Sequence, residues 1–285
     1  MSTRYVAVPV GVKPIRGPSA LGGDLRRFWT LTWTLALLEF RLKFFGSVLG
    51  YLWQLMRPLL LFGVLYVVFS EFVDLGAGVE HYPAVLLMGI VIHTFWAEAT
   101  GSAVPSVLNR ENLVRKIQFP RMVIPLSVVM TTFLNFCLNF VAVLVFFVIQ
   151  GVEVRWSWLQ LLPLVALLCA LSTGVAMIVS ALYVRYRDVE PIWDVALPVS
   201  FYGTPILYPI ESVPSESVQR LLMCNPLAVI VQQVRHALID PTAPSAAEAI
   251  GGAARLLLPL ALVLVICALG YWTFNRSAPR IAEEL

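Results

Sequence analysis

Apolar residues in this chain do not alternate with polar ones. They gather in blocks, and a bilayer core of about 30 Å takes about 20 helical residues to cross. Six stretches reach that length, at 47–72, 82–107, 121–150, 157–184, 189–210 and 253–275. No series of ten-residue segments alternates in the manner of an outer-membrane barrel. The segment Asp24–Phe45, ahead of the first block, has a different pattern. At 100° per residue, Arg26, Arg27, Thr30, Thr34 and Arg41 fall in one stripe, with Leu25, Trp29, Trp33, Ala36 and Phe40 opposite. That predicts a helix lying at the membrane interface, capped by Asp24 and carrying Glu39 and Lys43 as an i,i+4 pair. A seventh crossing here is disfavoured by Glu39, Arg41 and Lys43 near its end. Between the last two blocks, 211–252 holds a short helical stretch at 215–223. It is followed by NPLAVIVQQVRHALI, helical in period but too short to cross, and so a re-entrant or surface helix. Asp240-Pro241-Thr242 and Pro244 then break the chain.

Composition sharpens this picture. Of 285 residues, 59% are hydrophobic and only 13% charged, with a mean hydropathy of +0.82. These values exclude a disordered chain and an ordinary soluble enzyme and define a polytopic helical membrane protein. A net charge of +3 gives no reason to expect nucleic acid. With six crossings, 16 of the 20 lysines and arginines fall on one side, which places both termini in the cytoplasm. Residues 1–23 lack an apolar core and read as a cytosolic tail rather than a leader. Cys137, Cys169, Cys224 and Cys267 form no CxxC pair; those inside apolar stretches read as small buried hydrophobes.

Little of the chain has the pattern of a chemical site. It contains no GxxxxGK[ST] loop, so ATP hydrolysis by that machinery belongs to another protein. HExxH and GxSxG are also absent, and His81, His93 and His236 are scattered, each expected to make a local polar contact. Glu98 and His93 in the second block and Asp194 in the fifth are intramembrane ionisable groups and therefore functional candidates. For Glu98 the expectation is a wet cavity near the outer end, protonation, or a partner. Leu108–Met122 (LNRENLVRKIQFPRM) is a charged connection in which Asn109 can cap a short helix through Glu111, Leu113, Val114 and Ile117, stopped by Pro120. A short amphipathic helix between two spans can dock in a groove of a soluble partner and pass motion to both. A plain solvated positive loop is the alternative.

Four segments carry a resemblance: LEFRLKFF with GSVLGYLWQLMRPLLLFGVLYVVFS (46–70), NLVRKIQFPRMVIPL (112–126), VRYRDVEPIWDVALPVSFYGTPILYPIESVP (184–214) and CNPLAVIVQQVRHALI (224–239). In this order, over about 38–275, they resemble the ABC polysaccharide-export permeases of the Wzm and TarG group. The resemblance implies an all-α, type-2 ABC exporter transmembrane domain in a bacterial inner membrane. Its parts would be a gate helix at 24–45, six spans within 46–275, a coupling helix at about 110–119, outer re-entrant helices at about 211–239 and a cytoplasmic tail at 276–285. It implies a homodimer bound to two copies of a nucleotide-binding subunit, with ATP and Mg held by that partner and no cofactor, metal or catalytic residue in this chain. The expected ATPase contacts are Asn109, Arg110, Glu111, Leu113, Val114, Arg115, Lys116, Ile117 and Phe119, with a second contact at Arg185, Arg187 and Asp188. The aromatic lining of a glycan canal would fall to Trp53, Tyr66, Phe95, Trp96, Phe201 and Tyr202. Arg26, Arg27, Arg41 and Lys43 would meet the pyrophosphate of a polyprenyl-linked glycan in the inner leaflet.

Aromatic rings suit such a path, because they stack on the C–H faces of sugars without fixed hydrogen bonds and so let a chain slide. Three other readings remain. A permease for a drug or small lipid would have a closed apolar seam. A membrane enzyme acting on polyprenyl-linked sugars would need clustered carboxylates or a metal at one membrane face. A proton-coupled carrier would show an internal repeat with interrupted spans.

Overall fold

The computed structural model describes residues 24–45, 50–73, 79–111 and 120–278. The tail 1–23, the segment 112–119 and residues 279–285 lie outside them.

Among the described residues the chain is built of helices, and five of them are long and apolar enough to cross a membrane. Helix α1 is Leu25–Phe44. Helix α2, Gly50–Tyr66, widens into a π-helical end at Val67–Phe72. Helices α3 and α4 are Tyr82–Ala103 and Val123–Ile149. Helix α5, Leu161–Arg185, follows a 3-10 turn at Trp156–Gln160. Helix α6 is Val189–Tyr202. The short helices α7 (Glu216–Leu222), α8 (Pro226–Val234, with a π-helical end at Arg235–Ile239) and α9 (Ala246–Ile250) precede α10, Leu257–Ser277.

The fifth apolar block departs from expectation. Only 14 residues of 189–210 form a helix, about 21 Å at 1.5 Å per residue. Gly203-Thr204-Pro205 ends it, because Pro205 has no N–H and biases Thr204 away from helical geometry. The chain then lies back against α3. Tyr82 donates its hydroxyl to the Leu207 carbonyl at 2.8 Å, and Ile206 rests on Gly89, where a Cβ would meet Ile206 Cγ2 at 2.9 Å.

Helix α3 is the centre of the bundle. Of its most apolar window 72% is buried, against 11% for α2 and 17% for α10, so α3 is surrounded by protein while the other two present most of their surface outward. Phe95 packs edge-on against Phe136 of α4, and Trp193 of α6 donates to Thr100 at 3.1 Å. The closest approach joins α5 to α10. A Cβ on Gly270 would lie 2.4 Å from the Gly174 carbonyl oxygen, and one on Gly174 would lie 3.0 Å from the Cys267 nitrogen. Small residues let membrane helices meet at the backbone, and no smaller residue than glycine exists for this contact.

Helix α8 is inserted among α3, α4 and α5 and does not lie on the surface. Ile230 and Val234 share an apolar cavity lining with Met88, Ile92, Phe136 and Leu168. Asn225 caps α8, accepting from the Leu227 N–H at 3.0 Å. Where the helix widens, Ser157 and the Trp158 indole donate to the Ala237 and Leu238 carbonyls, which α-helical bonding no longer uses. Arg235 is buried between Glu211, at 2.9 Å, and Asp240, at 3.4 Å. For Asp240, burial alone would push the carboxyl up. Hydrogen bonds from the Thr242 hydroxyl and N–H, with Arg235 beside them, hold it below the usual carboxylate range. A carboxylate with a lowered folded pKa stabilises above its unfolded value, and the contribution is lost as pH falls through the folded one. Asp240→Asn should therefore lower thermal stability at pH 7 and make less difference below about pH 4. Melting curves of the purified protein at both pH values check this, and a gap that widens in acid would refute it.

Cys137, inside an apolar block, is exposed on α4 rather than buried.

Candidate functional site: the junction of helix α1 with the bundle

Helix α1 has three faces rather than two. Asp24 caps it as expected, accepting from the N–H of Arg26 at 2.9 Å and of Arg27 at 3.4 Å. Phe28, Thr32 and Ala36 form a buried stripe against the bundle. Arg26, Arg27 and Arg41 are exposed, and so are Leu25, Trp29, Trp33, Leu38 and Leu42. Ala36 thus joins the packing stripe, while Trp29 and Trp33 point outward. Exposed tryptophans beside arginines are what a helix needs at the level of lipid headgroups. Phe28 meets Val107, Ile124, Val184, Phe274 and Ala278 in one apolar cluster, so α1 lies across the same end of the bundle that holds the ends of α5 and α10.

Two ion pairs fasten α1 at this junction. Glu39 pairs with Arg110, and Lys43 pairs with Glu98 of α3. Each partner of the expected Glu39–Lys43 local pair is thus committed to a group distant in sequence. Arg110 also donates to Ser127 Oγ at 3.0 Å and to the Ile124 carbonyl at 3.3 Å. Burial pushes its guanidinium down to about 10, which leaves it charged at neutral pH. Thr131 of α4 donates to the Ala36 carbonyl at 3.2 Å. Glu98 accepts further bonds from Asn135 Nδ2 at 2.9 Å and Gln54 Nε2 at 3.4 Å. Of the three expectations for Glu98, the structure realises the paired one. Its partner comes from α1, at the end of the bundle opposite to the short helices α7–α9.

The remaining candidates divide. Asn109 lies inside a 3-10 turn, Leu108–Arg110, and Val107 rather than Asn109 precedes it. Arg110 is turned inward onto Glu39, while Glu111 leads into the segment 112–119. Leu113, Val114, Arg115, Lys116, Ile117 and Phe119 lie outside the described residues. Arg185, Arg187 and Asp188 are exposed in the turn between α5 and α6. There Arg185 lies over the Tyr186 ring and Arg187 over the Tyr183 ring, at 5.3 and 5.0 Å. Among the aromatics, Trp53 and Tyr202 are 50% and 63% exposed and can face a passage. Tyr66 and Phe201 are half-buried, stacked on Phe62 and edge-on to His93. Phe95 and Trp96 do not fit a lining role. They are 2% and 8% exposed, enclosed by Phe136 and Trp193 inside the bundle.

Asp194 stands on the exposed face of α6 with Ile192, Val195, Val199 and Tyr202. His93 makes the expected local contact, 2.9 Å from Ser200 Oγ. Glu39, Gln54, Asn135 and Asn139 were missed. The signal for the asparagines was present, since LNFCLNF puts two amides one turn apart inside an apolar helix, which is costly without a partner. Among the described residues, no three His, Cys, Asp or Glu side chains come together as a metal site.

A bundle with five helices long and apolar enough to cross a membrane, and a basic helix strapped across one end, has the build of a membrane domain. The chain belongs to the ABC-2 type transporter family, whose pattern it matches over residues 30–239. It is similar to an O-antigen export system permease protein, RfbA, of Klebsiella pneumoniae, at 30% identity over 72% of this chain and 78% of the relative. An RfbA of Myxococcus xanthus is 27% identical over 78% of this chain and 85% of its own length. The polysialic acid transport protein KpsM of Escherichia coli is 24% identical over 72% and 80%. Members of this family are permease subunits and not enzymes; ATP is hydrolysed by a separate subunit.

Proposed function

We propose that this chain is the permease subunit of an exporter that moves a polyprenyl-pyrophosphate-linked polysaccharide out of the cytoplasm. It works as a homodimer carried by two ATPase subunits that hold the ATP and Mg. The junction of α1 with Arg110 supports this most directly. It ties a helix with exposed arginines and tryptophans, suited to an anionic lipid headgroup, to the segment that enters the 112–119 connection. In this reading 111–119 docks on the ATPase, Arg185, Arg187 and Asp188 form a second contact, and both termini are cytoplasmic with six crossings. The exposed faces of α2 and α6, with Trp53 and Tyr202, line the path between two copies. ATP binding favours one separation of the copies over another, a shift of population rather than a chemical step in this chain.

Reversing the charge of Arg115 and Lys116 tests the docking. With the complex still assembled, ATP hydrolysis should continue while export of labelled glycan into inverted vesicles falls at least tenfold. Export that keeps pace with hydrolysis would remove 111–119 from the transmission path.

A further inference from the structure

We infer that Glu98 is an internal stand-in for the anionic headgroup of the cargo, and that the headgroup enters by displacing Glu98 from Lys43. This rests on the proposed lipid-linked cargo and adds to it how the site is held shut. Lys43 is the basic residue of α1 whose charge is taken by the bundle. Arg26, Arg27 and Arg41 are exposed on the same helix, while Lys43 reaches Glu98. Yet Lys43 is not sealed away. Its side chain is 35% exposed and that of Glu98 is 21%, so an anion at headgroup level can approach the ammonium.

The surroundings of Glu98 suit an exchange. Asn135 Nδ2 and Gln54 Nε2 also donate to the carboxylate, so it keeps two hydrogen bonds when Lys43 leaves. Asn135, which donates to Glu98, holds its own buried side-chain oxygen without a partner, so the polar groups here are not arranged to satisfaction around the closed pair. A pair that served only to fasten α1 would gain from complete satisfaction. A diphosphate carries more charge than one carboxylate and offers several acceptor oxygens to an ammonium that rotates freely about its stem. It therefore competes well for Lys43 without requiring that Glu98 be neutralised. When Lys43 turns away, α1 loses one of its two ion-pair fastenings and retains Glu39–Arg110, so it pivots while staying docked.

The test uses the full chain in phosphatidylcholine nanodiscs, with a polyprenyl diphosphate as the probe. Glu98→Gln preserves the shape and releases Lys43; its single oxygen keeps one of the two amide donors, and the other partner must turn its amide to face the new NH2. It should tighten binding about threefold to tenfold. Lys43→Gln should weaken it by a similar factor, and Lys43→Gln/Glu98→Gln should match Lys43→Gln. Binding by Glu98→Gln that is unchanged or weaker overturns the exchange, as does tightening that persists without Lys43. If the unmodified chain and every variant bind the probe poorly, the lipid-linked cargo reading falls as well. A second measurement needs no variant. Added polyprenyl diphosphate should speed hydrogen exchange of the backbone at 38–44 in the unmodified protein, and unaltered exchange there refutes displacement.

Discussion

Gly270→Leu is expected to prevent α10 from seating and to abolish accumulation of folded protein in the membrane. A side chain at 270 starts with a Cβ placed 2.4 Å from the Gly174 carbonyl oxygen and 3.2 Å from Met177 Cε. The first of these is backbone of α5, part of a continuous helical ladder, and cannot rotate aside as a side-chain tip can. The two helices must separate along the contact or bend. Overpacking of an ordinary core costs about 1–3 kcal/mol. Backbone-to-backbone contact lies beyond that range, at the exceptional end of single-residue effects and comparable with a large share of a fold's whole stability. Even Gly270→Ala should lower the melting temperature clearly. Gly63→Leu is the control, because a Cβ there meets nothing within 4 Å and α2 faces outward. Size-exclusion profiles and melting curves in detergent decide the matter. Equal behaviour of the substitutions at 270 and 63 would mean that the α5–α10 contact is not close-packed in the membrane.

The pattern of legibility in this sequence follows from what a bilayer imposes. Each apolar block must satisfy its own backbone, so helices were readable wherever twenty such residues ran together. The fifth block failed as a continuous helix because hydropathy counts Gly203, Pro205 and Pro209 as passengers, while backbone chemistry treats them as terminators. The burial of α8 was not legible either. Its length excluded a crossing, but whether a short apolar helix lies on a surface or enters a bundle depends on a cavity made by other helices. The two-faced reading of α1 missed its third stripe for a related reason. Thr32 and Ala36 are too small to mark a packing face by hydropathy, yet both are buried, and Ala36 comes close enough to α4 for Thr131 to donate to its carbonyl. Glu39 and Lys43 satisfied the rule for a local pair, and nothing within α1 reveals that Arg110 and Glu98 compete for them more strongly. Long-range ion pairs become visible only when the fold brings α1, α3 and α4 to one place. The aromatic candidates split on the same ground: Phe95 and Trp53 look alike in sequence, and only the central position of α3 buries the first and leaves the second exposed.

Replacing Arg110 by Glu should reduce export by more than tenfold, and exchanging the pair, as Glu39→Arg with Arg110→Glu, should restore most of it. The side chains of Arg110 and Glu39 are 17% and 26% exposed, so the pair is neither a surface bridge worth a few tenths of a kcal/mol nor a fully dry one. In Arg110→Glu two carboxylates face each other across a partly desolvated gap, Ser127 Oγ loses the Arg110 donor, and the Ile124 carbonyl keeps only the Ser127 hydroxyl of its two side-chain donors. Repulsion and the lost bonds together amount to a few kcal/mol at an effective dielectric of about 20, enough to lift α1 from the bundle. The exchanged pair recovers the attraction but not the hydrogen bonds to α4, so recovery should be incomplete. A double-mutant cycle isolates the coupling between the two side chains from the bonds that Arg110 makes elsewhere. The cycle should be read in export and in ATP hydrolysis by the assembled complex. If α1 must move with the 112–119 connection, Arg110→Glu leaves hydrolysis running while export fails, and the exchanged pair reconnects them. Additive single effects with no coupling energy would show that Glu39 and Arg110 act independently, and that motion reaches α1 through the apolar contacts of Phe28 instead.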